Sequence, residues 1–520
     1  MHSTVRHPSR GRGGSEEVPM GKWFVILAAV LLPIAVSAQE AEGPLAVSTD
    51  TVGAPRMTKW LVFDLDMAYH SNYEEYTGPD GIPAKRLVKW IGAGIAIALN
   101  YDLMQCSNIW MVERSELLKN FQDLYMIRYG LDPDSAQGEA KLDLVSLDVN
   151  YAKDLNRAFN ADYMIVGSFD KPTVDEVYVK LRVLTADEPF DEVAVFERTG
   201  LYEELPTLCR ELSHDIMNEF GLIERPGTES YWSEPITDNL DAFQWLGRAI
   251  SAGHSGKMIS FFDQAMSIDP NFFITLVEYA KVLYFEKNFE QAFELLKRAT
   301  ELKPGVQLGW LRRGNAYFFA ASQIDQNIEY LSDPDKAPED WTLGAEDYIK
   351  FSTDPALVEE YFDKALEYYQ KSVEVDPGFV SGWVSVAETY ERLSNLYSGK
   401  AGEATDPEEI GNYTSLSQAN GDQALETWKH ILTVTDLSDR AYQKVALSLW
   451  EVDNAQALEY FLRAVQINPR SQVSVINGAI LADGLKDYEA LKVFVDAYFS
   501  WADETNKYWD RFLDYSMKVN

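Results

Sequence analysis

The stretch from 271 to 304, NFFITLVEYAKVLYFEKNFEQAFELLKRATELKP, constrains the fold more than any other part of the chain. Leu276, Tyr279, Ala280 and Leu283 stand at i, i+3, i+4 and i+7, on one face of a helix; Ala292, Leu296 and Ala299 form such a face on a second. Asn288 marks the turn between them. Pro304 lies 34 residues after Pro270, and each follows a helical run that a proline cannot continue, so each closes one helix pair and opens the next. The alanines matter physically: where two helices cross closely, only Ala or Gly leaves room for the neighbouring backbone.

The pattern recurs along the chain. Phe262, Ala265 and Pro270 close an earlier pair whose first helix lies near Asp241 to Ala252. Trp310, Gly314 and Tyr317 open a third, with Arg313 in place of an apolar residue, and Ala365, Tyr369 and Pro377 close it. Between them an insertion near 320–355, carrying Asp333-Pro334, Pro338 and Asp354-Pro355, is expected to be mostly loop. Trp383, Ala387 and Tyr390 open a fourth pair, closed by Ala424 and Trp428, with a polar insertion at 398–421 in its turn. A fifth uses Tyr442, Ala446 and Leu449 with Ala457, Phe461 and Ala464; a degraded sixth uses Val475, Ala479 and Ala482 with Ala490 and Phe494. The charged, aromatic segment to Asn520 suits a terminal cap.

These residues resemble the tetratricopeptide repeat, which implies an all-α superhelix of about six repeats over 238–520. In that family stacked first helices line a concave groove that binds a protein or peptide. By position, the resemblance places Ile274, Val277, Lys281 and Tyr284, then Leu308, Leu311, Asn315 and Phe318, then Ser381, Val384, Glu388 and Glu391 on the groove. Such a groove is apolar at one end and acidic further on, suited to a segment with a basic end. Inter-helix packing is the competing use of the same positions. Of the carboxylate clamp known from some family members only Asn315 is in place, which argues against capture of a C-terminal carboxylate.

Upstream, Lys22 precedes the apolar run Trp23 to Val36, and Ser37-Ala38 precedes Gln39-Glu40. That is the layout of a signal peptide, so residues 1–38 are expected to be a leader cleaved after Ala38, leaving an exported, periplasmic or secreted chain without an integral membrane segment. An uncleaved anchor is the rival. Residues 39–57 read as a linker. From 58 to 222 the expected order is β-α-β-α-α-β-β-β-α: strands at Trp60–Met67, 108–113, 161–169, 174–185 and 192–198, helices at 82–99, 115–125, 149–159 and 205–220. IWMVER at 109–114, ADYMIVGSF at 161–169 and VYVKLRVL at 177–184 resemble the TolB amino-terminal-like domain and its CsgG-type relatives, α/β sandwiches of bacterial envelope proteins. The chain departs from that family at Asn72 to Pro83, an extra acidic, Tyr-rich loop. Residues 223–237, with Pro226, Gly227 and Pro235, read as an inter-domain linker. The whole is thus an α+β, two-domain chain.

Chemistry is sparse. Of six histidines, His2 and His7 fall in the leader, and His70, His214, His254 and His430 are scattered, so no pair has metal-ligand spacing. Asp64, Asp66 and His70 form the best polar constellation, although Asp64 and Asp66 on one face of a strand entering a loop explain it as well. No phosphate-loop, serine-hydrolase elbow or zinc-protease motif occurs. Gly92-Ala-Gly94 lacks the third glycine of a dinucleotide loop and fits helix packing better. Cys106 and Cys209, an even pair in an exported chain, are either a disulfide or two buried free thiols. A net charge of -36 opposes nucleic acid as a partner. The expectation is a non-catalytic scaffold without cofactor or metal, binding a protein or peptide in the bacterial envelope. Two rivals stand beside it: a structural subunit that self-associates through the α/β domain, and an enzyme with an unrecognised site.

Overall fold

The computed structural model describes residues 57–67, 84–114, 117, 159, 161–173, 175–185, 189–252, 255–332, 354–450, 452–502 and 506–519. Among the described residues six strands form one mixed sheet: β1 (Thr58–Val62), β2 (Asp66–Met67), β3 (Ile109–Met111), β4 (Tyr163–Asp170), β5 (Glu176–Thr185) and β6 (Glu192–Leu201). The order is β3-β1-β4-β5-β6, with β2 also beside β4. β1 is parallel to β3 and β4, in register at Leu61 with Met164, whereas β4, β5 and β6 form an antiparallel meander. Alternation sets the faces: Val177, Val179, Leu181 and Val183 of β5 all point into the core. The expected first strand, Trp60–Met67, is broken at 63–65, because the Leu65 backbone turns to meet a helix.

That helix, α1 (Ala84–Leu103), runs four residues beyond its expected end at Leu99. From Trp90 to Leu103 every residue is buried, including Asn100 and Asp102. A helix without a polar face has to be covered all round. The sheet and α2 (Leu205–Phe220) cover one side of α1, and the first helix of the array, α4 (Leu240–Ile250), covers the other. Glycine permits the second contact: a Cβ on Gly247 of α4 would stand 2.5 Å from the Trp90 carbonyl oxygen, and one on Gly94 of α1 3.1 Å from Phe243. The helices expected at 115–125 and 149–159 and the loop at 72–83 lie outside the described residues, apart from Leu117 and Phe159.

Beyond α4 every element among the described residues is a helix. Consecutive antiparallel pairs are α4 with α5 (Ser255–Ile268), α6 (Phe273–Phe285) with α7 (Phe289–Leu302), and α8 (Gln307–Ser332) with α9 (Pro355–Val375). They continue as α10 (Val380–Glu403) with α11 (Pro407–Val434), α12 (Asp439–Leu449) with α13 (Asn454–Ile467), and α14 (Gln472–Leu485) with α15 (Tyr488–Phe499), ending in α16 (Trp509–Val519). Ala265, Ala292, Ala299, Ala365, Ala446 and Ala464 are fully buried at the helix crossings. Arg313 stretches over Tyr368, 4.3 Å from the ring centre, and donates from Nη1 to Thr300 Oγ1 at 3.0 Å.

Two expectations about connections change. The polar insertion 398–421 is not a loop: α10 and α11 simply lengthen, with Asp406 capping α11 through Glu408 N. Leu393 and Tyr397 meet Tyr413 and Leu416 across the extension, and Ser394 Oγ donates to Ser417 O at 2.8 Å. A narrow apolar stripe is enough to hold two otherwise polar helices together. The insertion near 320–355 likewise begins as helix, since α8 continues to Ser332.

The segment 223–237 behaves as a wedge rather than a flexible linker. Arg225 is buried, donates from Nη2 to Gln105 Oε1 at 2.5 Å and lies 3.4 Å from Asp376 at the end of α9. Short α3 (Glu229–Ser233) buries Tyr231, whose hydroxyl donates to Asp102 Oδ1 at 2.9 Å, while Arg210 of α2 reaches the same oxygen at 3.1 Å and covers the Tyr231 and Trp232 rings. Burial raises the Asp102 carboxyl pKa, and Arg210 works against that shift. Residues from both sides of the wedge, among them Ile165, Tyr101, Phe243 and Leu276, belong to one continuous core.

Candidate functional site

The positions expected to line a groove lie on the first helices of their pairs. In the second and third pairs, however, they face the chain's own sheet unit. Ile274, Val277 and Tyr284 of α6 and Leu308 and Leu311 of α8 are buried, in the same core as Ile97, Tyr101 and Met104 of α1. Burial pushes the Tyr284 phenol up to about 12. Asn315 is half-buried and accepts from Tyr369 Oη at 2.8 Å, and Phe318 packs edge-on against Phe362. Inter-helix packing therefore occupies most of these side chains.

Polar contacts fasten the same interface. Tyr101 Oη donates to Glu278 Oε1 at 2.8 Å across 177 residues of sequence, and Gln307 Nε2 donates to Met104 O at 2.7 Å. Arg312 Nη2 donates to Glu113 Oε2 at 2.5 Å. Arg114 makes a two-pronged pair with Asp64, at 2.8 and 2.5 Å, and donates to Ile250 O at 3.3 Å. Asp64, the described carboxylate of the expected Asp64, Asp66 and His70 constellation, is thus clamped by an arginine; the side chains of the other two lie outside the described residues. Lys281 stands between two carboxylates, 3.9 Å from Glu278 and 4.0 Å from Glu113. Burial lowers its pKa, and Glu278 counteracts the shift.

Sequence reasoning missed Tyr101, Glu113, Glu278 and Arg312. A signal existed: Glu278 and Lys281 interrupt an otherwise apolar helix, and charge on such a run needs partners inside the fold.

Further along the array the inner face is more accessible. Ser381, Val384, Glu388 and Glu391 are half-buried. Among the described residues the edge of the sheet unit meets the start of α10, where Met57, Trp110 and Met111 line a crevice with Phe379, Val380 and Ser381. The acidic character expected of this end is largely neutralised within the array. Glu388 pairs with Arg440, and Glu391 accepts from Lys444 at 2.6 Å and from Trp428 Nε1 at 2.8 Å.

Both cysteines are free and buried. Burial pushes the Cys106 thiol up to about 12 and raises Cys209 further. Among the described residues no group of three or more His, Cys, Asp or Glu could hold a metal ion, and no helix is long and apolar enough to cross a membrane. The Gly92-Ala-Gly94 stretch is packing: a Cβ on Gly92 would overlap the Leu65 carbonyl oxygen.

No family model and no curated protein matches the chain. Among solved structures, the thermophilic TPR protein TTC0263 of Thermus thermophilus aligns at 15% identity over 44% of this chain and 91% of that one, with a TM-score of 0.28. MamA aligns at 16% identity over 41% and 89%, with a TM-score of 0.24. YrrB, a TPR protein with an unusual peptide-binding site, aligns at 16% over 42% and 96%, with a TM-score of 0.19.

Proposed function

We propose that the chain is a non-catalytic scaffold whose tetratricopeptide-type array holds the α/β unit on its first repeats and binds a protein or peptide on its later ones. The observation that carries this reading is the division of the inner face: Ile274, Val277, Leu308 and Leu311 are sealed by the chain itself, whereas Val384, Glu388 and Glu391 keep accessible surface. With Glu388 and Glu391 already paired to Arg440 and Lys444, the distal face offers a mixed, near-neutral surface, so a strongly basic segment is no longer the favoured ligand. The leader at 20–38 supports export to the periplasm or exterior, and the TolB-like motifs support a place in the bacterial envelope.

A photo-crosslinking residue at Val384 of the full chain tests this. It should capture a discrete polypeptide from envelope extract, while the same residue at exposed Glu294 on the outer helix α7 should not. Equal capture at both positions, or none at Val384, defeats the reading.

Self-association through the sheet is the second reading. Among the described residues β6 pairs on one side only, and Val193, Val195 and Leu201 on it are exposed, a strand edge open to pairing. A light-scattering mass that stays at the monomer value over a wide concentration range would rule it out. A third reading, an unrecognised enzyme, requires a turnover abolished by changing Asp64, whose carboxylate the Arg114 pair already engages.

A further inference from the structure

Between the sheet unit and the array lies a cavity of about 330 Å³. Protein interiors close-pack and leave few voids larger than a water molecule, so a space of this size is an exception that asks for an occupant. Its walls are mostly carbon, from Ile97 and Met104 of α1, Ile250 of α4, Met258 of α5, Val282 of α6 and Leu308 of α8.

The charged groups beside it decide what kind of occupant. Arg114 is engaged by Asp64, Arg312 donates to Glu113, and Lys281 lies within ion-pair range of both Glu113 and Glu278. Glu278 also accepts from Tyr101. Asp64, Glu113 and Glu278 thus balance Arg114, Lys281 and Arg312, and the cluster asks for neither sign. A charged ligand would leave water for an apolar space without a counterion waiting, which is strongly disfavoured; an uncharged one avoids that loss.

The mouth of the cavity is apolar too. Phe285 of α6 lines the cavity and is 56% exposed, so it stands at the rim. Its ring meets Phe319 of α8 edge-on at 5.1 Å, and Phe319, 37% exposed, stacks on buried Tyr284 at 5.3 Å. A lone exposed ring is ordinary, but two in contact carry the carbon lining of the cavity out to solvent.

We infer that this cavity binds one uncharged, largely apolar small molecule, a hydrocarbon chain lying between α1 and α5 with its outer end under the Phe285 and Phe319 rings. The site is separate from the polypeptide-binding face and does not depend on it. At a liquid-like share of roughly 30 Å³ per water-sized group, the volume takes on the order of ten non-hydrogen atoms, the size of octanol. Size and carbon lining are those of a small-molecule pocket.

Calorimetric titration of the full chain at pH 7 with straight-chain alcohols from butanol to dodecanol tests the assignment. One site per chain should saturate, each added methylene should tighten binding by up to about fourfold until the space is full near octanol, and then the gain should stop. Octanoate and octylamine, of the same length but opposite charges, should both bind at least about tenfold more weakly than octanol. Met258→Trp fills the cavity away from the charged cluster and should abolish octanol binding while the helical circular dichroism is retained. Phe285→Ser alters an exposed ring that the fold does not need and should weaken octanol at least about threefold, so it decides the matter if Met258→Trp does not fold. Absence of saturable binding by every alcohol, octanoate or octylamine binding as tightly as octanol, affinity that keeps climbing to dodecanol, or unchanged binding in either folded variant would each overturn the inference.

Discussion

The seat of the sheet unit on the array turns on Gly247, and a single added methyl group tests it. In Gly247→Ala the new Cβ would stand 2.5 Å from the Trp90 carbonyl oxygen, 3.0 Å from Trp90 Cε3 and 3.2 Å from Trp90 C, against a helix backbone that cannot swing aside as a side chain would. Helices α1 and α4 must move apart, and overpacking of this kind costs about 1–3 kcal/mol. Replacing Gly by Ala within a helix returns up to about 1 kcal/mol, leaving a net loss of about 0–2 kcal/mol. Gly411→Ala, in α11 with nothing within 4 Å of the new methyl, receives the propensity gain alone and should stabilise its helix by up to about 1 kcal/mol. The same substitution should thus act in opposite directions at the two sites. Hydrogen exchange gives the local reading: faster exchange in α1 and α4 for the first variant, slower exchange in α11 for the second. If Gly247→Ala slows exchange in α4 as Gly411→Ala does in α11, the two helices do not cross where the structure places them, and the occupied inner face fails with that contact.

Three further outcomes follow from other contacts. Ala292→Leu, at a fully buried crossing of α7, should cost about 1–3 kcal/mol and loosen the neighbouring pairs first, whereas exposed Glu294→Ala should stay within about 0.5 kcal/mol; uniform loss of exchange protection from 240 to 519 would refute nearest-neighbour stacking. Arg225→Met removes the cation beside Asp376 and the donor to Gln105, so denaturant unfolding should show a loss approaching about 3–5 kcal/mol; an unchanged midpoint would mean that residues 223–237 are the loose linker they resemble in sequence. Alkaline stability should fall between about pH 9 and 12. Cys106 and Tyr284 have folded-state pKa values raised to about 12, so their stabilisation is complete below the unfolded values near 9 and 10 and is lost as pH climbs through the folded ones; a flat circular dichroism signal through that window would contradict their burial.

Much of the architecture was legible because it is local. The recurring Ala265, Ala292, Ala365, Ala446 and Ala464 announce helix pairs, since the need for small residues at a crossing recurs with the repeat and appears in one sequence as a period. The helix at 205–220 was located to the residue, and the β4 to β6 meander followed from alternation. The extension of α10 and α11 was missed because a stripe as thin as Leu393, Tyr397, Tyr413 and Leu416 is outweighed by its polar surroundings when composition is averaged.

What covers an apolar face is a different question, and the sequence leaves it open. Burial of hydrocarbon is non-directional, so Ile274, Val277, Leu308 and Leu311 could equally have been reserved for an external ligand or for the chain's own α1. The clue was in α1 itself: from Trp90 to Leu103 it has no face fit for water, so a sheet on one side cannot be its only cover. Which helix supplies the other cover depends on contacts such as Trp90 with Gly247 and Tyr101 with Glu278. These join residues more than 150 positions apart, where no periodicity reaches, and only the tertiary structure brings them together. The sequence determined that this chain is a small α/β unit followed by stacked helix pairs; the tertiary structure decided that the first of those pairs are closed over by the chain itself.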